Sequence, residues 1–182
     1  MKKILLLAFL FLSVSIVAQK YYTKTGKTQF KASVEAFEPV EATNNSTTAI
    51  INTASGEIAS LLFVKAFNFR VALMQEHFNE NYMESTTYPK ATFNGKIESI
   101  SSIDFSKDGT YSSKVNGKLT IKNVTQDVAT IGTFVVTNGV VNAKATFNLN
   151  PYDYNVKIPK MVAPKISESI KITINSDYTH TH

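Results

Sequence analysis

The residues best equipped for acid–base or metal chemistry crowd one short stretch: His77 has Glu76 beside it and Glu80 three positions on. On a helix, side chains three apart share a face and immediate neighbours do not. His77 and Glu80 can therefore approach each other, while Glu76 points elsewhere. A zinc centre needs three or four convergent ligands, and one imidazole with one carboxylate falls short. The stretch reads as structural, with His77 capping backbone groups where a short helix meets a sheet. A second set, His180 and His182 with Asp177, lies in a polar tail. Chain ends fray, so this tail reads as incidental, with weak transition-metal binding as the alternative. The chain has no cysteine, which removes thiol nucleophiles and disulfides together. Serines are plentiful, but a Ser-His-Asp triad is defined by geometry rather than composition. Gly56 and Gly95 stand alone and form no phosphate-cradling loop. The expectation is a protein without metal or cofactor, and not an enzyme.

Positioning must come from the rest of the chain, and its first segment is of a different kind. Lys2 and Lys3 precede an apolar run over residues 4–17, broken only by Ser13 and Ser15, and Ala18 ends the run before Gln19. Positive start, apolar centre and small terminal residue make a secretory signal, cleaved after Ala18. The run is shorter than the roughly 20 residues that span a bilayer. The reading is a signal peptide over residues 1–18 and one domain over residues 19–182, in the periplasm or outside the cell. Nothing later resembles a membrane span. The formal charge is +5, two of it from Lys2 and Lys3. The remaining lysines, among them Lys27, Lys31, Lys96, Lys118, Lys122 and Lys144, are scattered singly, unlike the clustered basic face of a nucleic-acid binder. They read as a solvated outer sheet face. A homodimer is compatible with the sequence.

Alternation with period two runs through the domain. Phe30, Ala32, Val34 and Ala36 share one face, and Ala91, Phe93, Gly95 and Ile97 another. Val115, Gly117, Leu119 and Ile121 oppose Lys114, Asn116, Lys118, Thr120 and Lys122. Val141, Ala143, Ala145, Phe147 and Leu149 form a further row, as do Ile170, Ile172 and Ile174. Each strand has one apolar and one polar face, which predicts a mainly antiparallel sheet. Asp108-Gly109 and Asn138-Gly139 are turn signals, the latter of a tight hairpin. Residues 123–127 are expected to join two strands, residues 42–48 to form an exposed loop, and Pro151 and Pro159 to mark an extended loop. Residues 58–69 are almost wholly apolar, either a strand covered on both faces or a short helix. Met74, Phe78 and Tyr82 at four-residue spacing predict a short helix within residues 71–83, covering one end of a sheet. A sandwich and a barrel both satisfy this pattern. Small inward residues beside aromatic ones fit a lined cavity and an interdigitated core equally well.

Two stretches carry a resemblance. Residues 74–83 (MQEHFNENYM) with residues 88–93 (YPKATF), and then residues 117–128 (GKLTIKNVTQDV), are similar to the YceI-like family of exported bacterial proteins. The family's second motif reads GxLTIxGVTxPV. Here Asn123 stands where glycine is usual and Asp127 where proline is usual. A weaker match at residues 150–156 replaces the usual arginine by Pro151 and the glycine by Asn155. The resemblance implies an all-β fold, an antiparallel lipocalin-like β-barrel with a short helical segment. It also implies an apolar small molecule or lipid, of isoprenoid type, held inside. On that basis Phe63, Phe67, Phe69, Phe78, Phe93, Phe134 and Phe147 are expected to line the interior, with the hydroxyls of Tyr82, Tyr88, Tyr152 and Tyr154 at its mouth. Two other functions fit the sequence: a solid barrel that contacts another envelope protein, and an enzyme acting on an amphiphile.

Overall fold

The alternating rows become strands, and each strand pairs with its neighbours in antiparallel register. The computed structural model describes residues 20–34 and 38–180, so the signal reading of residues 1–18 and His182 lie outside the described residues. The strands are β1 (Lys20–Ser33), β2 (Glu41–Asn52), β3 (Glu57–Phe63), β4 (Asn68–Phe69), β5 (Lys90–Ile97), β6 (Gly109–Ile121), β7 (Val124–Thr137), β8 (Val140–Leu149) and β9 (Ile166–His180). The sheet runs β1-β9-β8-β7-β6-β5-β3-β2, and β1 then pairs with β2. That last pairing closes an eight-stranded antiparallel barrel, as the resemblance implies. The short β4 pairs with the far end of β2 through Ala42↔Phe69 and Thr43↔Asn68. A helix α1 (Ala72–His77) continues as a π-helical turn over Phe78–Tyr82, where the four-residue spacing predicts it. No helix of the described residues is long and apolar enough to cross a membrane.

Where strict alternation fails, the backbone steps. In β1 the buried residues are first Tyr21 and Thr23, then Gly26, Thr28 and Ala32, because Lys24 and Thr25 face out side by side. The register against β2 shifts at the same place, so a bulge swaps the parity. Residues 42–48 lie inside β2 rather than in a loop. Thr and Asn are poor evidence for a loop when both neighbouring strands supply ladder partners. Asn44 is fully buried, donates from Nδ2 to the Phe63 carbonyl at 3.0 Å and accepts from the Ser46 amide at 2.8 Å. Residues 58–69 are neither one strand nor one helix. β3 ends in a 3-10 turn (Val64–Ala66) before β4.

Two hairpins are tight. Asn138 and Gly139 take φ of +50° and +77°, the left-handed pair that suits strand twist. The β6–β7 reversal uses only Lys122 and Asn123, at +48° and +60°, and residues 124–127 belong to β7. Asn tolerates this backbone where the family pattern has glycine. Gly109 already opens β6, so the Asp108-Gly109 signal marks the end of a connection. The Asp108 carboxylate accepts from the Asn138 amide at 2.9 Å. The polar tail is ordered as strand through His180, whose ring meets Tyr21 edge-on at 5.5 Å.

One end of the barrel is filled. Tyr21, Ile51, Ile97, Val136, Val141 and Tyr178 pack there, and the β5–β6 connection inserts Ile103 and Phe105 among them. Above this floor the wall alternates large and small residues. The Phe93 ring lies over Gly95 and Gly117, with its Cζ about 2.6 Å and 2.5 Å from where their Cβ atoms would stand. Only glycine allows that approach. Gly117→Ala should therefore displace the Phe93 ring and cost about 1–3 kcal/mol of stability, as overpacked cores do. Urea unfolding measures this, and an unchanged midpoint would contradict the packing described.

Candidate functional site

Eight strands enclose just enough space for side chains to fill or for one small ligand. Here the rows leave space, because Ala32, Ala49, Ala91, Ala143 and Ala145 point inward between the aromatic residues. The result is a cavity of about 440 Å³, within the roughly 300–1,000 Å³ usual for ligand pockets. Its wall is overwhelmingly apolar, and it extends from the filled floor toward the end that carries α1.

Aromatic rings gather at that upper end. Phe30 of β1 lies 5.3 Å from Phe67, 5.7 Å from Phe69 and 5.3 Å from Phe78 between centroids, stacked on the last at 23°. Phe78 also meets Phe67 at 5.7 Å and Phe69 at 5.0 Å. Such pairs contribute about 0.5–1.5 kcal/mol each beyond area burial. They hold the helical segment against the barrel, and the Gln75 side chain adds a bond from the Phe69 amide at 3.2 Å.

Eight of the eleven sequence-predicted residues come together on this wall: Phe67, Phe69, Phe78, Tyr82, Phe93, Phe134, Phe147 and Tyr154. Three do not. Phe63 sits on the outward parity of β3, is 50% exposed and lies beneath Lys90 Nζ at 5.5 Å. The 3-10 turn after it resets the parity and brings Phe67 and Phe69 inward. Tyr88 lies under Lys122 Nζ, 5.6 Å from the ring centroid. Tyr152 is 43% exposed on the outer side of the 3-10 turn (Pro151–Tyr154), whose inner side buries Tyr154. Sequence reasoning missed Phe30, Met74, Ile158 and Val162 on the wall. Phe30 was legible from its alternating row, whereas Ile158 and Val162 lie in a loop without periodicity. His77 also lines the cavity, and at its place before the π-helical turn it makes no side-chain cap bond. The imidazole therefore does not serve as the expected cap. Among the described residues no group of three or more His, Cys, Asp or Glu side chains is placed to hold a metal ion.

Lys122 departs most from the sequence reading. Alternation placed it on the solvated face, yet the residue is only 8% exposed. It is the first residue of the two-residue turn, so strand parity no longer governs it, and its side chain folds inward. Its Nζ donates to Glu84 Oε1 at 2.5 Å, to the Tyr82 carbonyl at 3.1 Å and to the Asn155 carbonyl at 3.4 Å. An ammonium has three donors, and three oxygens meet them. Glu84 and Asn155 both hold positive φ, +48° and +56°. One buried charge thus fastens the segments that bring Tyr82 and Tyr154 to the wall.

Burial also sets the two inward phenols. Tyr154 is pushed up to about 12, by desolvation first and then by the Asp153 charge, and burial raises Tyr178 further still.

The YceI-like domain model matches residues 13–178. No curated protein sequence matches the chain. Among solved structures, a polyisoprenoid binding domain from Saccharophagus degradans superposes with a TM-score of 0.76 at 13% identity, covering 90% of this chain and 99% of that one. BcnA of Burkholderia cenocepacia gives 0.68 at 17% identity, over 84% and 96%. A Campylobacter jejuni YCEI protein gives 0.63 at 16% identity, over 80% and 87%. These likenesses establish the shared fold.

Two predictions follow from the geometry. Lys122→Met leaves Glu84 and two carbonyls without their donor and should lower stability by about 1.5–3 kcal/mol, read from urea unfolding; a neutral result would mean that the ammonium is dispensable. The buried phenols ionise later in the folded chain than in the unfolded one. Their contribution is whole below pH 10, the ordinary tyrosine value, and declines as pH rises from there toward the folded values. Each group costs about 1.4 kcal/mol per pH unit across that window. Unfolding midpoints measured from pH 9 to 12 should fall accordingly, and Tyr178→Phe should flatten the slope.

Proposed function

The chain belongs to the YceI-like family, and from that premise we propose that it is an exported binding protein that holds an apolar, isoprenoid-type lipid inside its barrel. The observation that carries this reading is the cavity of about 440 Å³ with its nearly continuous apolar wall. Apolar surface moved from water into such a space contributes about 25 cal/mol per Å², so a hydrocarbon chain needs no charged partner there. The polyisoprenoid binding domain with the same fold supports a lipid of this class.

Residues 1–18 support export to the periplasm or the cell exterior, where a lipid with low water solubility requires a carrier. Binding is favoured over catalysis because the wall offers mostly side chains that neither attack nor transfer protons. A solid barrel acting only through its surface fits less well, since the small inward residues leave the interior open.

Protein purified from its own host should carry a lipid that native mass spectrometry detects and organic extraction releases. A uniform mass equal to the bare chain, with nothing apolar in the extract, would overturn the proposal.

A further inference from the structure

Among the polar residues on the apolar wall, three hydroxyl residues lie deep. Just above the filled floor, β1, β2 and β9 place Thr28, Thr47 and Ser176 in the cavity wall. All three residues are buried, at 5%, 4% and 3% exposure. Thr28 Oγ1 and Thr47 Oγ1 bond each other at 2.9 Å. That bond uses one proton and leaves the second threonine proton without an acceptor among the described bonds. Among the described residues Ser176 Oγ has no hydrogen-bond partner. It sits over Gly26, 2.6 Å from where a Cβ would stand. Their wall neighbours Ala49, Ala143 and Tyr178 carry no charge.

An orphaned hydroxyl in an apolar interior is costly, and alanine would avoid that cost. Ala143, directly across from Ser176 in the β8–β9 register, shows that alanine fits this level of the wall. A serine can turn its hydroxyl among three staggered positions, so the group can swing to meet a ligand atom. A charged headgroup is excluded, because burying it here without a counter-charge would cost far more than hydrogen bonds return.

We infer that the Thr28–Thr47–Ser176 cluster is a recognition subsite for one uncharged hydrogen-bonding group, such as an alcohol or carbonyl, so that a chain-like ligand enters polar end first. Its tail then runs up the apolar wall toward the Phe30, Phe67, Phe69 and Phe78 rings. This inference rests on the carrier reading and specifies the polarity and direction of its ligand.

The test is a cycle of two probes and three proteins. Decan-1-ol and undecane, matched in length, displace N-phenyl-1-naphthylamine from the purified protein and from its Ser176→Ala and Thr47→Val variants. Ser176→Ala should weaken decan-1-ol by about three- to tenfold, the worth of one hydrogen bond, and leave undecane unchanged. The ligand-free variant should melt at the same temperature or higher, since an orphaned group has been removed. Thr47→Val should show the same selective loss. Equal losses for both probes, or none for decan-1-ol in either variant, would overturn the subsite while leaving the carrier reading intact. Failure of the unaltered protein to bind either probe would overturn the carrier reading and the subsite with it.

Discussion

Closure of the sheet through β1, which is paired with β9 on one side and β2 on the other, is the constraint from which the interior follows. Once the ring closes, each inward side chain faces others across a fixed width, and the sum of their sizes decides whether space remains. Large rows alone would fill an eight-stranded barrel. Alanines and glycines between the aromatic residues leave a lumen instead. Closure also removes the exposed edges that an open sheet would present. Because the ring has little slack, local irregularities are absorbed where they arise. The bulge in β1 and the 3-10 turn between β3 and β4 both change which residues face inward without breaking the ring.

The two ends of the barrel are managed by different physics. The floor is sealed by apolar packing, with Ile103 and Phe105 supplied by the β5–β6 connection. The upper end is assembled from loops and the short helical segment, which have no ladder to hold them. Aromatic contacts around Phe30 and the Lys122 ammonium do that work. A buried charge is tolerable only with its donors satisfied, and Lys122 meets this condition with three oxygens from two segments, residues 82–84 and Asn155. Lining residues from these loops, Tyr82 and Tyr154 among them, therefore depend on an ammonium that belongs to a hairpin.

Much of the barrel was legible before any coordinates. The rows around Phe93, Leu119, Phe147 and Ile172 have the period of strands, and these residues line the cavity as their parity requires. Asn138-Gly139 marks its hairpin because those residues tolerate positive φ. The site was less legible. Phe63, Phe67 and Phe69 look equivalent in sequence, yet the turn between them sends the first outward and the others inward. Residues 42–48 resemble a loop in composition, yet pairing with β1 on one side and with β3 and β4 on the other makes them strand. Lys122 resembles its solvated neighbours on β6 until the strand ends beneath it.

What the sequence by itself determined is the alternation, and with it a half-buried antiparallel sheet of bulky and small inward residues, because period-two patterning has no other stable use. Its motifs further identified the family. What only the tertiary structure decided is where parity breaks, which end is sealed, and how Lys122, Thr28, Thr47 and Ser176 meet residues far away along the chain. Those outcomes depend on through-space distances set by closure, which no local pattern encodes.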